Sequence, residues 1–165
     1  MAHQITLMNR DRIKRTIKRM AIQVCERFID STPICVVGLN ERGYSLAKEV
    51  YSELQRMNLS APIELHSFDV FSNGAQPIPS VNEKQVLIVD DVIFSGRTFF
   101  QALSILFHAQ EPHIIEVLAL IDRGHRRYPI LADITGELIP TKVGEHVEVL
   151  LSKGSLDEVV LFKNH

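Results

Sequence analysis

Apolar side chains recur at helical spacing in two stretches of the first third of the chain, which predicts two amphipathic helices. The first helix has the apolar positions Ile13, Ile17, Met20, Ala21, Val24 and Phe28, and the second has Leu46, Ala47, Val50, Tyr51 and Leu54. Short apolar or alternating runs predict strands at 34–37, 63–68, 85–89 and 113–121, with a third helix at 98–109. Two strands at 147–151 and 158–162 are joined through 153–155, which predicts a hairpin.

Polar segments that contain glycine or proline separate these elements and are predicted to be loops. They span residues 38–43, 69–83 and 122–140, and the second, with two prolines and one glycine, is expected to be mobile. The order of helices and strands predicts an α/β fold with a twisted, mainly parallel sheet flanked by helices. Because no linker or internal repeat divides the chain, we expect a single domain over residues 1–165.

Composition excludes several classes of protein. With 165 residues, 45% hydrophobic and 23% charged, the chain is able to bury a core, which excludes disordered and fibrous classes. No apolar run is long enough to cross a bilayer, and two cysteines are too few for a disulfide framework, so we expect a cytoplasmic protein without a membrane partner. The net charge of −2 gives no global positive field, and we expect no DNA partner.

The segment after the strand at 85–89 carries the strongest chemical signal. Two adjacent carboxylates, Asp90 and Asp91, end the strand, and the chain then turns through Ser95 and Gly96 into a helix at Thr98. A helix N-terminus with a glycine and a hydroxyl offers N–H groups to an anion, which predicts phosphate binding at 95–98. The carboxylates accept hydrogen bonds from sugar hydroxyls, so the pattern indicates a ribose 5-phosphate site. The alternatives are a solvated strand end for the two acids and a helix cap for Thr98.

A second loop follows the strand at 34–37 and also precedes a helix. Gly38 and Gly43 permit unusual backbone conformations, and Arg42 supplies a charge for oxyanions. This spacing is close to that of a P-loop, which leaves an NTPase as an alternative function. Tyr44, however, stands where the phosphate-binding lysine of a P-loop is needed.

Two stretches carry a resemblance to a known family. The first is Val89-Asp90-Asp91-Val92-Ile93-Phe94-Ser95-Gly96-Arg97-Thr98, which matches the 5-phosphoribosyl-1-diphosphate signature of type I phosphoribosyltransferases. The second is Leu120-Ile121-Asp122-Arg123-Gly124-His125-Arg126-Arg127-Tyr128-Pro129-Ile130, followed by Ala132-Asp133, Gly136 and Ile139-Pro140-Thr141. The chain thereby resembles the bifunctional pyrimidine-operon attenuator and uracil phosphoribosyltransferase family over nearly its whole length.

The resemblance implies a type I phosphoribosyltransferase fold and a role for each matching residue. It implies that Asp90 and Asp91 hold the ribose hydroxyls, and that the 5-phosphate lies on Ser95, Gly96, Arg97 and Thr98, with Val92, Ile93 and Phe94 beside the substrate. The diphosphate loop would be Leu39, Asn40, Glu41, Arg42 and Gly43, often with a cis peptide in the family. A hood at about 122–141 would hold the base, with Asp122 and Arg123 nearest to it.

The reaction implied is transfer of ribose 5-phosphate to a pyrimidine, most simply uracil, with release of diphosphate. Mg²⁺ would bind mainly through the substrate, without direct protein ligands, and Arg42 would stabilise charge on the diphosphate. The segment 69–83 would be the lid that excludes water.

Two features depart from the family pattern. Asn40 and Glu41 stand where a basic residue and a threonine are usual, and the arginine expected after the strand at 63–68 is missing. These departures motivate a second hypothesis, a nucleotide-sensing RNA-binding regulator of pyrimidine genes with weak or no catalysis.

The first helix carries a basic stripe at Arg15, Lys18 and Arg19. It is interpreted as a contact for a messenger RNA leader, or as a solvated face or part of a subunit interface. Ile22 continues the same face and favours a homodimer or homotetramer. The seven histidines show no metal-binding spacing, and Cys35 is expected to be an inert core thiol.

Overall fold

The computed structural model describes residues 3–29 and 31–164. The helices and strands in these residues follow one another as β1 (His3–Met8), α1 (Arg10–Arg27), β2 (Ile34–Leu39), α2 (Asn40–Arg56), β3 (Ile63–Phe68), β4 (Gln85–Ile93), α3 (Arg97–Leu106), β5 (Ile114–Asp122), β6 (Ile134–Leu138), β7 (Glu145–Ser152) and β8 (Ser155–Lys163).

The central sheet has the strand order β3-β2-β4-β5-β6, and its neighbouring strands are all paired in parallel. Its middle strands are buried on both faces because helices and chain segments cover each side. One face packs against α1 and α2, and the other packs against α3. The α/β fold with a parallel sheet, predicted from the hydrophobic pattern, is therefore confirmed.

A smaller antiparallel sheet, in the order β1-β8-β7, packs against α1 and α2. The predicted hairpin of β7 and β8 is confirmed. The sequence analysis missed β1, since four of its six residues are exposed and give no alternating apolar signal. This strand is held by pairing with β8, a contact far away in the sequence.

The loops predicted at 38–43 and 122–140 are partly wrong. Strand β2 continues through Leu39, and α2 begins directly at Asn40, so that Gly43 is helical. Strand β6 lies within the segment 122–140, where it pairs with β5. The third helix starts one residue earlier than predicted and ends at Leu106. Glycine punctuation at Gly38 and Gly43 was interpreted as a turn, whereas the structure uses both glycines for close packing.

The predicted core of the first two helices is confirmed. The apolar positions of α1 from Ile13 to Val24 are buried, as are Leu46, Ala47, Val50 and Leu54 of α2. Among the described residues, no helix has the length and apolar character that a membrane span requires.

Candidate active site

The carboxyl ends of β2, β4 and β5 meet at one edge of the central sheet, because these strands are parallel and adjacent. Gly38 of β2 pairs with Val89 of β4, and Asp90 of β4 pairs with Ala119 of β5. The predicted diphosphate segment, the acidic pair and the hood therefore converge at this edge. In open α/β sheets, this is where ligands bind.

Asp90 is a buried carboxyl group with 7% of its surface exposed, while Asp91 is half-buried. Oδ1 of Asp90 accepts a hydrogen bond of 2.9 Å from the backbone N–H of Asp91. Burial, and next the charge of Asp91, raise the pKa of Asp90 well above its usual range. The alternative of a solvated strand end does not hold for Asp90, because a buried carboxyl group needs a hydrogen-bond donor or a cation.

Helix α2 lies against the acidic end of β4, and two glycines make this contact possible. A Cβ at Gly43 would stand 2.8 Å from the carbonyl oxygen of Val89 and 3.0 Å from Oδ1 of Asp90. A Cβ at Gly38 would stand 2.4 Å from the Cα of Tyr44. Because real Cβ atoms do not approach other atoms this closely, only glycine allows the helix to start directly over the site.

The turn from β4 into α3 contains residues 95–98, which are predicted to bind a phosphate. Gly96 is the N-cap residue with φ of 85° and has no capping side chain, whereas Oγ of Ser95 accepts from the N–H of Arg97 at 3.3 Å. An anion at this turn would bind to its other N–H groups, or would replace Ser95 as the acceptor for Arg97. Thr98 lies within the first turn and is not the N-cap, so the cap alternative for this residue is wrong.

The hood is fixed to this turn by backbone hydrogen bonds. The carbonyl oxygen of Ser95 accepts from the N–H groups of Arg127 and Tyr128, at 2.9 and 3.0 Å. The carbonyl oxygen of Ile93 accepts from the N–H of Arg123 at 2.9 Å. The predicted phosphate and base segments are thus joined directly by backbone hydrogen bonds.

Asp122 is paired inside the hood. Arg126 donates to both of its carboxylate oxygens, at 2.9 and 2.7 Å, and the N–H of Gly124 donates at 2.8 Å. Burial acts to raise the pKa of Asp122, but these hydrogen bonds outweigh it and the pKa lies below its usual range. Asp122 therefore orients the hood in this structure.

Arg123 lies over the ring of Phe94, with its guanidinium carbon 4.2 Å from the ring centre. It donates to Oγ1 of Thr141 at 3.2 Å and to the carbonyl oxygen of Glu145 at 2.8 Å. Burial lowers the pKa of Arg123. Aromatic and guanidinium planes are both groups on which nucleobases stack.

A cavity of 660 Å³ opens between the turn and the hood. Its walls include Phe94, Ser95, Arg97, Arg123, His125 and Tyr128. The predicted hood ends at Thr141, whereas residues 142–145 also line this cavity and had no predicted role. The motif that carried the family resemblance, Ile139-Pro140-Thr141, stops just before them.

The predicted diphosphate segment is the junction of β2 and α2. The side chain of Leu39 lies in the core, as does that of Ile93, so both offer only backbone groups to a ligand. Asn40 has φ of 58°, and its Oδ1 accepts from the N–H of Val70 at 2.9 Å. Glu41 and Arg42 are exposed. The described residues contain no cis peptide bond, so the cis bond frequent in the family does not occur in them.

The structure of residues 38–43 excludes the P-loop alternative. A P-loop wraps phosphate before its helix begins, but here residues 40–43 are already helical. Lys48, one turn further along α2, lies over the ring of Tyr44 at 5.3 Å from its centre. It belongs to a different cavity, of 480 Å³, together with Glu41, Asp69 and Gln76.

The basic stripe on α1 is only partly available to a partner. Arg15 and Lys18 are exposed, whereas Arg19 donates to Gln23 and to the carbonyl oxygen of Gly136. Ile22 beside them is 51% exposed. The stripe is compatible with RNA or with a subunit contact, and the predicted homodimer or homotetramer stays a prediction.

Comparison with known proteins bears on the same residues. The family model of the phosphoribosyl transferase domain matches residues 4–150. The bifunctional protein PyrR of Herpetosiphon aurantiacus is 36% identical over 169 residues, which cover 94% of this chain and 95% of that protein. PyrR of Clostridium kluyveri is 33% identical over 159 residues, which cover 89% of this chain and 90% of that protein.

Two solved structures of similar fold are both named hypoxanthine phosphoribosyltransferase. Hypoxanthine phosphoribosyltransferase of Trypanosoma cruzi has a TM-score of 0.77 at 18% identity and covers 97% of both chains. The Staphylococcus aureus enzyme of the same name has a TM-score of 0.69, also at 18% identity, with coverages of 86% of this chain and 79% of that one. These likenesses confirm the predicted type I phosphoribosyltransferase fold.

Proposed function

The chain belongs to the phosphoribosyltransferase family, and within it to the bifunctional PyrR group, and we propose that it transfers ribose 5-phosphate from 5-phosphoribosyl-1-diphosphate to uracil. The observation that carries this proposal is the buried Asp90 at the end of β4, followed by the turn through Gly96 into the N-terminus of α3. One group accepts hydrogen bonds from a sugar diol, and the other accepts an anion. A ribose with a 5-phosphate is the ligand that satisfies both.

Each segment of the site has one task in this reaction. The N–H groups at 96–98 hold the 5-phosphate, and Asp90 and Asp91 orient the ribose by accepting from its hydroxyls. The C1–oxygen bond to diphosphate breaks as the bond from C1 to a uracil nitrogen forms, and the proton of that nitrogen leaves to solvent. The carboxylates stabilise the cationic sugar, and Arg42 stabilises the departing diphosphate.

Mg²⁺ fits the donor set of this site. Asp90 and Asp91 supply only oxygen donors, which a hard cation prefers, and a cation beside the buried Asp90 would favour the ionised form that burial disfavours. When bound with the donor substrate, Mg²⁺ neutralises charge on the diphosphate. The two aspartates would hold it through the ribose hydroxyls.

The hood would hold the base. Phe94 and Arg123 form one flat wall of the 660 Å³ cavity, and His125 packs edge-on against Phe94 with ring centres 5.7 Å apart. The segment 69–83 is proposed as the cover that keeps water from the ribosyl donor.

A turnover assay tests this function. The enzyme receives donor, Mg²⁺ and, in separate reactions, uracil, orotate, adenine, guanine, hypoxanthine or xanthine. We expect a nucleotide from uracil and none from the purines. The ribose site is tested with the double variant Asp90→Asn with Asp91→Asn, which should lose donor affinity, as measured by calorimetry, while remaining folded. Product from a purine alone would overturn the pyrimidine assignment, and unchanged donor affinity of the double variant would overturn the ribose site.

A second candidate function, a nucleotide-responsive RNA-binding regulator, rests on two observations. Residues 69–83 contain no lysine or arginine, and Glu41 and Asp69 place negative charge on the diphosphate side. Arg15 and Lys18 are exposed on α1 and suited to phosphate contacts. A gel-shift assay with pyrimidine-operon leader RNA tests it, with Arg15→Ala plus Lys18→Ala expected to weaken binding. No shift even at low salt would count against RNA binding.

A further inference from the structure

Three side chains from two strands meet on one face of the sheet, at its β3 edge. Cys35 of β2 and Glu64 of β3 are direct partners in the parallel register, and His66 follows on the same face two residues later. The Sγ of Cys35, a carboxylate oxygen of Glu64 and a ring nitrogen of His66 all lie within 4.8 Å of one another. The Nε2 of His66 is 3.0 Å from Oε2 of Glu64.

These donors are the set that zinc prefers. Thiolate, imidazole and carboxylate are its usual protein ligands, and a site with three of them leaves a fourth position for water. The sequence shows no metal spacing because Cys35 is separated from the other two donors by helix α2. The pairing of β2 with β3 brings them together.

We propose that Cys35, Glu64 and His66 form a binding site for a divalent cation of intermediate softness, best matched by Zn²⁺. The ion ties edge strand β3 to β2 just before the segment 69–83 begins. This site is separate from the proposed nucleotide site and does not depend on it. Mg²⁺, which the phosphoribosyl reaction would use, prefers oxygen donors and does not fit a thiol and an imidazole.

The ion would replace the direct contact between Oε2 of Glu64 and Nε2 of His66, so that both atoms bind the ion. Lys84 donates to the other oxygen, Oε1, at 2.8 Å and to the carbonyl oxygen of Ser80 at 2.8 Å. Lys84 therefore keeps its position and orients the carboxylate, as outer partners of metal ligands do. The side chains of Glu64 and His66 are 40% and 37% exposed, which provides a path from solvent.

The thiol must lose its proton when the metal binds. Burial, and next the charge of Glu64, raise the pKa of Cys35 to about 12, so the thiol is neutral in the metal-free protein. On binding, the S–H bond breaks, the sulfur–metal bond forms and the proton passes to solvent. The charge of the cation replaces the proton and stabilises the buried thiolate. This explains how Cys35 is an inert thiol without metal and a ligand with it.

Cobalt titration of the full-length, metal-free protein tests the site, because Co²⁺ bound to a thiolate shows a charge-transfer absorption in the near ultraviolet. We expect this band to saturate at one equivalent, to disappear on addition of Zn²⁺ and to be unaffected by Mg²⁺. Cys35→Ser should abolish the band, whereas the matched control Cys25→Ala should retain it. Glu64→Gln and His66→Gln should each weaken cobalt binding by at least about tenfold.

A second readout is the melting temperature, which should rise with Zn²⁺ in the native protein and not in Cys35→Ser. Absence of the charge-transfer band at one equivalent would overturn the proposal, as would a band that persists in Cys35→Ser. If Cys35→Ser does not fold, unchanged cobalt affinity in both Glu64→Gln and His66→Gln would overturn it equally. None of these measurements uses phosphoribosyl transfer, so a failure here leaves the proposed function intact.

Discussion

Gly43 and Asp90 are in such close contact that a Cβ on the glycine would stand 3.0 Å from Oδ1 of the aspartate. The first turn of α2 thereby covers the end of β4 and helps to exclude solvent from the Asp90 carboxyl group. This coverage is one source of the burial that raises the pKa of Asp90. The absence of a side chain at Gly43 of α2 thus contributes to the raised pKa of Asp90 on β4.

The first prediction concerns Gly43→Ala. Glycine to alanine within a helix ordinarily stabilises a protein by about 1 kcal/mol. Here the new Cβ would meet the Val89 carbonyl oxygen at 2.8 Å, and we expect a net loss of about 1–3 kcal/mol, typical of an overpacked core. Urea unfolding measures this change. Gly74→Ala is the matched control, since its Cβ would have 3.9 Å to the nearest atom; equal effects of the two substitutions would contradict the argument.

The second prediction separates stability from binding at Asp90. Because its folded-state pKa is raised, the native state binds this proton more tightly than the unfolded state. The contribution of Asp90 is therefore fully present below the usual Asp pKa of about 4 and is lost as pH rises through the raised pKa. Asp90→Asn should remove this decline and stabilise the protein by about 1 kcal/mol at neutral pH.

Unfolding free energies measured across pH check this expectation, and calorimetry checks the accompanying loss of donor binding. Asn at this position is still able to accept from the N–H of Asp91, so the backbone contact survives. A variant that is less stable than the native protein at neutral pH would show that Asp90 is compensated in the free protein.

How far the sequence predicts this site depends on the range of the interactions involved. The acidic pair, the Ser95–Thr98 turn and the hood follow local patterns in the sequence, and the structure places all three at the carboxyl ends of the parallel strands. The roles of Gly38 and Gly43 were misinterpreted because a glycine occurs both in turns and where a helix packs closely on a strand, and the local sequence does not distinguish the two. Pairing of Asp122 with Arg126 was missed, since the sequence alone does not show which hood side chains bind each other.

The third prediction concerns that pairing. Asp122→Asn removes a charged acceptor from Arg126 and should destabilise the protein by about 1.5 kcal/mol. Because the folded-state pKa of Asp122 is lowered, its contribution is present at neutral pH and is lost as pH falls through that pKa. The difference between native protein and variant should therefore shrink in acid. Substitution of the exposed Asp157 of β8, Asp157→Asn, is the control, and a difference that stays constant with pH would contradict the ion pair.

The fourth prediction concerns the negative charge of Glu41 on the diphosphate side. Glu41 is exposed in the first turn of α2, next to Arg42, and a diphosphate bound there would meet unfavourable charge. Glu41→Lys should lower the KM for the donor by about tenfold, which corresponds to about 1.4 kcal/mol for a reversed surface charge at short range. The effect should weaken as salt is added.

Glu26→Lys provides the matched control for Glu41→Lys. It makes the same change of net charge at an exposed position near the carboxyl end of α1. The chain continues from there to the amino end of β2, whereas the proposed site lies at the carboxyl end of that strand. Steady-state kinetics with uracil and varied donor compare the two variants. If both lower the KM equally, the effect arises from overall charge, and Glu41 is no barrier to diphosphate. If only Glu41→Lys responds, the departure from the family pattern at this residue tunes donor affinity directly.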